Sequence, residues 1–290
     1  MTTKELISYA IDYLDSDFKN NLEIEVLLAS VMDLSKEELF LNADAQVSAP
    51  EVELFKKYMA RLKGGEPIAY ILNKKEFFGL DFFVDNRVLV PRPESEHIVE
   101  KTLEYMERER NESGKNSFRV LDIGTGSGNI IIAIVNTALQ REFDIEGIGL
   151  DVSDEAIEVA RINCDQHSLS DNLGIFQSNL LEVTDEAEHF DVIVANLPYI
   201  GEEKHRYIEG NVEKFEPHIA LFGGKDGLEL YRNLFEQIKE KEITFGLMLG
   251  EFGFAQTENM EKILSEHFEE NHAIIKDLAG IDRVFVVRGN

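Results

Sequence analysis

The segment from Val120 to Val135 restricts the fold of this chain more than any other part of the sequence. An apolar run ends at Ile123, glycines follow at every second position (Gly124, Gly126 and Gly128), and a second apolar run comes next. This order predicts a strand, a tight turn and a helix, in which the glycines let the backbone approach a ligand closely. The spacing Gly-x-Gly-x-Gly differs from the Gly-x-Gly-x-x-Gly of dinucleotide-binding folds.

Strand and helix patterns alternate from about residue 93 onward. Strands are predicted near 118–123, 146–151, 173–177, 190–195, 244–250 and 283–288, and helices near 93–110, 128–140, 153–167, 226–241 and 256–269. Such alternation predicts an α/β fold with a parallel sheet and helices on both faces. Ligands of these folds bind at the carboxyl ends of the strands, so we expect Gly124, Asp151 and Asn196 to share one crevice.

The N-terminal part of the chain predicts a separate helical domain, residues 1–75. Ser35 with Glu38 and Ser48 with Glu51 fit capping boxes at two helix starts. Because no glycine turn lies in this part, we interpret the domain as one for substrate recognition.

A short hairpin and a connector are predicted to follow, over residues 76–92. Residues 76–84 are rich in phenylalanine and predict two short strands that turn near Gly79. The proline-marked segment after them leads into a third part, residues 93–290, which holds the alternating pattern. The sequence therefore predicts two domains bridged by a hairpin.

The tetrad Asn196-Leu197-Pro198-Tyr199 is suited to methyl transfer onto a planar nitrogen. The side-chain carbonyl of Asn196 and the backbone carbonyl of Leu197 can accept both N–H groups of one amide or amino group. Pro198 removes a competing N–H donor, and Tyr199 offers a flat face. Two acceptors on one NH₂ group hold its lone pair toward a methyl donor, so no strong base is required.

The tetrad by itself would also fit an ordinary loop. Asp151, however, ends the strand after the glycine turn, where a carboxylate suits hydrogen bonding to ribose hydroxyls. Glycine turn, acid and tetrad in this order indicate an S-adenosylmethionine-dependent methyltransferase.

Composition limits the partners and the setting of the chain. Lys and Arg number 29 and Asp and Glu 56, which gives a net charge of −27, so repulsion of bare nucleic acid is expected. The basic stretch from Lys56 to Lys75 fits a solvated helix face or, alternatively, a docking patch for an acidic partner. A single cysteine, Cys164, suggests a reducing compartment, and we expect a packing role for it. The histidines show no metal-ligand spacing, and no apolar run reaches membrane-spanning length, so neither a metal nor a membrane is predicted.

These motifs resemble those of the release factor glutamine methyltransferases, the PrmC/HemK family, over nearly the whole chain. The segments that carry the resemblance, besides the glycine turn, are Gly65–Tyr70, Glu76–Phe78, Val90–Glu96, Asn196–Ile200, Phe215–Pro217, Ala220–Gly224, Asp226–Leu228 and Asp277–Arg283. The resemblance implies a small N-terminal helical domain, a bridging β-hairpin and a Rossmann-like, seven-stranded class I methyltransferase domain. It also implies methylation of the side-chain amide nitrogen of glutamine in the Gly-Gly-Gln motif of class I peptide chain release factors.

The resemblance further implies which residues form the site. The residues that would hold S-adenosylmethionine, whose product is S-adenosylhomocysteine, are Asp122, Gly124, Thr125, Gly126, Gly128, Asp151, Asn179 and Asn196. The substrate would contact Arg92 and the tetrad, with Asn196, Pro198 and Tyr199 as the catalytic residues. For Arg92, a structural salt bridge is an equal alternative. Glu216 and Glu251 are candidate acids behind the contact residues, or else structural or exposed carboxylates.

Two positions depart from the family pattern. Leu197 stands where the family usually has a second proline; its carbonyl still serves as an acceptor, but it adds an N–H group and some flexibility. Asn179 stands where an acidic residue is common beside the adenine, and its carbonyl can still accept the adenine amino N–H.

Two other functions remain open from the sequence. Asn-Leu-Pro-Tyr also occurs in RNA adenine methyltransferases that act on N6, although the net charge of −27 opposes RNA binding. A protein that binds S-adenosylmethionine without catalysis is the second alternative. We expect a cytoplasmic enzyme, monomeric, whose partners are class I release factors, with no direct contact to nucleic acid.

Overall fold

The computed structural model describes residues 1–14, 21–202, 210–277 and 279–289. Contacts divide the chain into two compact units, Met1–Lys74 with Gly210–Phe215, and Lys75–Glu209 with Glu216–Asn290. The exact bounds of the three predicted parts stay a prediction. Leu278, in the last of the family-like segments, lies outside the described residues.

The elements are named in chain order. The helices are α1 (Thr3–Leu14), α2 (Asn21–Val31), α3 (Lys36–Leu41), α4 (Ala49–Lys63), α5 (Ile68–Leu72), α6 (Glu96–Ser113), α7 (Asn129–Gln140), α8 (Asp154–Gln166), α9 (Gly210–Phe215), α10 (Glu229–Glu240) and α11 (Thr257–Phe268). The strands are β1 (Lys75–Phe77), β2 (Leu80–Phe82), β3 (Ser117–Ile123), β4 (Asp144–Asp151), β5 (Leu173–Gln177), β6 (His189–Ala195), β7 (Thr244–Glu251), β8 (His272–Lys276) and β9 (Asp282–Arg288).

The first unit is helical, as predicted. Both capping boxes are confirmed: Ser35 Oγ accepts the Glu38 N–H at 3.1 Å while Glu38 accepts the Ser35 N–H at 2.8 Å, and Ser48 and Glu51 form the second pair in the same way. The helices α1, α2 and α4 pack their apolar faces into one core. This unit therefore has a hydrophobic core of its own.

One basic side chain of the predicted basic stretch, that of Arg61, is bound within this unit. Arg61 donates to both carboxylate oxygens of Glu66, at 2.8 and 2.6 Å, and also to the backbone carbonyls of Tyr70 and Ile71. Such a bidentate pair fixes the chain after α4 onto that helix. Arg61 is thus a structural cation rather than a free member of a docking patch.

The predicted hairpin is confirmed as β1 and β2. Lys75 pairs with Phe82 and Phe77 with Leu80, and the two turn residues, Phe78 and Gly79, both have left-handed backbones, with φ of 52° and 73°. Two left-handed residues form the turn that matches the twist of a two-stranded ribbon.

The second unit contains a seven-stranded sheet in the order β5-β4-β3-β6-β7-β9-β8. The α/β class is confirmed, but the expectation of a wholly parallel sheet is wrong, because β9 runs antiparallel to both of its neighbours. The chain returns from β8 to β9 through a tight turn in which Asp277 N–H donates to the Ile281 carbonyl at 2.8 Å. So short a connection can join only antiparallel strands.

The carboxyl ends of four adjacent strands meet at one edge of this sheet. In the order β4-β3-β6-β7, they end at Asp151, Ile123, Ala195 and Glu251. Every predicted strand-end residue therefore lies at the same edge, with Glu251 beside them.

Among the described residues, no helix has both the length and the apolarity needed to cross a membrane.

Candidate active site

A cavity of about 330 Å³ lies at this edge of the sheet. The predicted site residues that line it are Arg92, Gly124, Thr125, Gly126, Asp151, Asn179, Asn196, Leu197 and Pro198. Asp122, Gly128 and Tyr199 do not line it. The structure thus brings most of the residues from the glycine turn, the acid and the tetrad around one space.

The glycine turn folds tightly over the end of β3. The N–H groups of Gly124 and Thr125 both donate to the Leu150 carbonyl, at 2.8 and 2.9 Å, and Gly124, Gly126 and Gly128 have φ of 74°, 55° and 79°. Side chains rarely tolerate that backbone region. Gly128, which does not line the cavity, is the residue from which α7 begins.

Asp151 holds two loops with its carboxylate. Oδ2 accepts the Gly126 N–H at 2.8 Å and Oδ1 accepts the Ser153 N–H at 2.9 Å. Burial raises the pKa of Asp151, and these backbone donors oppose the rise. A carboxylate oxygen has a second lone pair, so each of the two can accept one more hydrogen bond, such as one from a ribose hydroxyl.

Asp122 lies beneath the turn with one oxygen unpaired. Its Oδ2 accepts the Thr125 hydroxyl at 2.7 Å, but Oδ1 has no hydrogen-bond partner among the described residues. Burial first, and then the negative charge of Asp151, raise the pKa of Asp122 to about 7. Asp122 therefore supports the glycine turn from beneath, through the Thr125 hydroxyl, and lies outside the cavity lining.

Asn179 lies on the wall of the cavity. Its Nδ2 donates to Glu182 Oε1 at 2.9 Å. Because the donor end of the amide is held in this way, the carbonyl oxygen is the end left to accept a hydrogen bond.

The Asn196 amide is bound at its nitrogen. Nδ2 lies 2.9 Å from Ser95 Oγ and 3.3 Å from Glu251 Oε2. Glu251 is buried, with 1% of its surface exposed, and also accepts the Tyr199 hydroxyl at 3.1 Å. The remaining polar atom of the amide, Oδ1, is an acceptor.

Tyr199 stays a neutral donor in this arrangement. Burial, followed by the charge of Glu251, raises the pKa of Tyr199 far above its ordinary value. Its hydroxyl group therefore keeps its proton and donates it to Glu251 Oε1.

The N–H group that Leu197 adds has a partner. It donates to Tyr231 Oη at 3.4 Å, and that hydroxyl lies within hydrogen-bond distance of the Glu251 backbone carbonyl. The Leu197 side chain is buried against the glycine turn, where a Cβ added at Gly124 would lie 2.9 Å from Leu197 Cδ2. The departure from proline is thus accommodated by a buried hydrogen bond.

Arg92 both lines the cavity and forms a salt bridge. Its Nη2 lies 2.5 Å from Glu216 Oε1, and Glu216 Oε2 accepts the Val90 N–H at 3.1 Å. Glu216 is buried, with 3% of its surface exposed. Glu216 therefore holds the proline-marked connector in place. For Glu216, the structure agrees with the alternative of a structural carboxylate.

Gly223, Gly227 and Gln256, which the sequence did not mark as site residues, lie against the backbone of the tetrad. A Cβ at Gly223 would lie 2.1 Å from the Pro198 carbonyl oxygen, and one at Gly227 would lie 2.1 Å from that of Tyr199. Gln256 Nε2 donates to the same Tyr199 carbonyl at 2.9 Å. Both glycines lie in segments that resemble the family, and this resemblance is the signal that could have identified them. Nothing in the sequence indicated Gln256.

Comparison with known proteins shows the family of this chain. The model of the PrmC N-terminal domain matches residues 5–72, and that of a methyltransferase domain matches residues 114–272. A release factor glutamine methyltransferase of Koribacter versatilis is 33% identical over 99% of this chain and 99% of the relative. One from Clostridium acetobutylicum is 36% identical over 91% of this chain and 90% of the relative. This chain belongs to the release factor glutamine methyltransferase family.

Solved structures show the fold that this family member shares with other methyltransferases. The hMettl16 catalytic domain, in complex with the MAT2A 3′UTR hairpin 6, matches with a TM-score of 0.55 and 13% identity over 83% of this chain and 82% of that one. A human methyltransferase 10 domain containing protein matches with a TM-score of 0.51 and 16% identity, over 73% and 89%. At such identities the likeness concerns the fold alone. The family relatives and the matching methyltransferase domain, by contrast, make this protein a methyltransferase.

Proposed function

We propose that this enzyme transfers a methyl group from S-adenosylmethionine to the side-chain amide nitrogen of glutamine in the Gly-Gly-Gln motif of class I peptide chain release factors. The observation that carries the proposal is the Asn196 amide, whose nitrogen is bound by Ser95 and Glu251 and whose oxygen remains an acceptor at a cavity. Membership of the release factor glutamine methyltransferase family supports the choice of substrate.

The residues present fit S-adenosylmethionine. Asp151 lines the cavity and has free lone pairs for ribose hydroxyls. Asp122 lies beneath the glycine turn and outside the cavity lining, so it would act on the ligand through that turn. The backbone of Gly124, Thr125 and Gly126 would surround the ligand, with Gly128 behind them at the start of α7, and Asn179 would accept the adenine amino N–H. When bound, S-adenosylmethionine supplies a methyl group on a sulfonium centre, and S-adenosylhomocysteine is the product.

The tetrad would hold the glutamine amide in the reactive orientation. Asn196 Oδ1 would accept one amide N–H and the Leu197 carbonyl the other, which directs the nitrogen lone pair to the methyl donor. Pro198 presents no N–H to compete, and the ring of Tyr199 would pack beside the amide. The proton leaves for water after transfer, so no protein base is required. Arg92, tied to Glu216, would contact the peptide at the rim of the cavity.

The two alternatives are less well supported. RNA methylation would need a basic surface, whereas the chain has a net charge of −27. A protein without catalysis would have no use for the buried bonds that orient Asn196. The proposal includes a monomeric enzyme in the cytoplasm that binds class I release factors and no nucleic acid directly.

The test is methyl transfer from labelled S-adenosylmethionine to a purified class I release factor. We expect label on the factor, none on a variant with Gln→Ala in its Gly-Gly-Gln motif, and none on structured RNA. Asn196→Ala should lower kcat by about 100-fold or more, because one of the two acceptors is lost, while S-adenosylmethionine still binds. Label on RNA alone would favour the adenine alternative, and label on nothing would favour the protein without catalysis.

A further inference from the structure

We propose that Glu251, acting through Ser95, is a positioning residue that sets which end of the Asn196 side-chain amide faces the substrate. The inference rests on the proposed function, since it concerns the same site. Neither Glu251 nor Ser95 needs to touch the glutamine for this role.

An asparagine side chain has two nearly equal shapes. Rotation by half a turn exchanges its NH₂ group and its carbonyl oxygen. In one orientation Asn196 offers an acceptor to a substrate NH₂ group; in the other it offers a donor, which opposes binding of that group. The site therefore needs a structural feature that distinguishes the two.

The Ser95 hydroxyl makes the first distinction. Ser95 Oγ lies 2.6 Å from Glu251 Oε2 and 2.9 Å from Asn196 Nδ2. A hydroxyl has one hydrogen. Because the carboxylate takes that hydrogen, only lone pairs of Ser95 face Asn196, and these require a donor there.

Glu251 makes the second distinction directly. Its Oε2 lies 3.3 Å from Asn196 Nδ2, and an ionised carboxylate only accepts hydrogen bonds. If Asn196 were rotated, its carbonyl oxygen would face both this carboxylate and the Ser95 lone pairs. That repulsion would act inside the protein, where little water reaches it, since 1% of the surface of each of Ser95 and Glu251 is exposed.

The same carboxylate also binds the last residue of the tetrad. Glu251 Oε1 accepts the Tyr199 hydroxyl at 3.1 Å, so its two oxygens face different partners. Burial raises the pKa of Glu251, while the hydrogen bonds from Ser95 and Tyr199 and the charge of Arg283 favour the ionised form. Ser95, Asn196 and Tyr199 all present donors to this carboxylate, as an acceptor-only group requires.

A double-mutant cycle provides a specific test. Asn196→Asp places a second carboxylate against Glu251. In Glu251→Gln the new amide can keep an oxygen toward Ser95 and Asn196 by turning its nitrogen to the Tyr199 hydroxyl, which then accepts instead of donating and loses the acceptor for its own proton. In the double variant the Gln nitrogen can donate to the carboxylate introduced at position 196, and the Gln oxygen can accept from Tyr199. Every contact is then matched again, and the net charge equals that of the wild type.

We expect kcat to fall by less than about tenfold in Glu251→Gln, whose amide can still present its oxygen to Asn196, and by about 100-fold or more in Asn196→Asp. The double variant should exceed Asn196→Asp by about tenfold or more. The Kd for S-adenosylmethionine should stay within about threefold in Glu251→Gln, because Glu251 does not line the cavity.

Two further variants separate positioning from folding. Asp191→Asn alters a buried carboxylate on the neighbouring strand β6 that contacts Lys115 and Arg119 and not Asn196. It should lower the unfolding temperature without lowering kcat. Ser95→Ala removes the relay but keeps the carboxylate, and it should lower kcat with little loss of stability.

Full kcat in Ser95→Ala, or a double variant no faster than Asn196→Asp, would overturn the inference. If Asn196→Asp does not fold, the kcat of Ser95→Ala alone decides. The proposed function fails separately, when the wild-type enzyme leaves the release factor unlabelled.

Discussion

Asp122 is a buried carboxyl group that makes stability depend on pH. Its pKa is about 7 in the folded protein, against an ordinary value of 3.8. Between these two values the folded chain binds more protons than the unfolded chain, so the free energy of unfolding falls as the pH rises through this window. Above about pH 7 the full cost of the buried charge is present.

Asp122→Asn should therefore stabilise the protein at high pH. We expect the gain in unfolding free energy, measured by denaturant titration, to be about 2 kcal/mol larger at pH 8 than at pH 5. Asp277→Asn is a control of opposite sign, because hydrogen bonds from Ile281 and other donors lower the pKa of Asp277. Its removal should cost stability above pH 4. An Asp122→Asn effect independent of pH would contradict the argument.

At the scale of residues, the sequence predicted the groups that line the site and offered Glu216 and Glu251 as candidate acids behind them, but it did not predict Ser95. Asn196 and Asp151 follow apolar runs, and such local patterns mark strand ends reliably. Ser95 contacts Asn196 across 101 positions of sequence. That pairing depends on which elements become neighbours, and a single sequence does not contain this information.

The loop between α9 and α10 acts as a support for the tetrad. The Ile200 N–H donates to the Leu221 carbonyl at 3.0 Å and the Gly223 N–H to the Ile200 carbonyl at 3.1 Å. Gly227 has φ of 81° and leaves no room for a side chain beside the Tyr199 carbonyl. The position of Tyr199 thus depends on the backbone of this loop.

Gly227→Ala should displace the tetrad, and Gly114→Ala is the matched control. Both glycines have left-handed backbones, with φ of 81° and 77°, but an added Cβ meets nothing within 4 Å at Gly114. Both variants should lose about 1 kcal/mol to backbone strain. Only Gly227→Ala should also lower kcat, by about tenfold or more, since small misplacements at a reacting group are costly. Equal kcat in the two variants would show that the loop does not support the site.

At the scale of elements, sequence patterns did not predict β8 and α9, and both are marginal elements. Strand β8 lies at the edge of the sheet and has no fully buried residue, so its apolar alternation is weak. Helix α9 is six residues long and likewise buries none. Elements of this kind form because a neighbour is already present, whereas the central strands carry long apolar runs that identify them.

The whole molecule carries far more negative than positive charge. With 56 acidic and 29 basic side chains, pairs of like charges outnumber pairs of opposite charges, although salt bridges such as Arg119–Glu188 form. Net self-repulsion destabilises a compact state, and dissolved salt screens it. The Debye length falls from about 30 Å at 0.01 M to about 10 Å at 0.1 M, so at the higher concentration salt screens the interaction between most surface charges.

Added salt should therefore stabilise this protein. We expect the free energy of unfolding in urea to rise by on the order of 1 kcal/mol between 0.01 and 0.2 M NaCl, since the screened repulsions exceed the screened attractions. Choline chloride should act equally, because the effect depends on ionic strength and not on bound sodium. A fall in stability with salt would mean that local ion pairs outweigh the net charge, and an effect of NaCl alone would indicate a specific cation site.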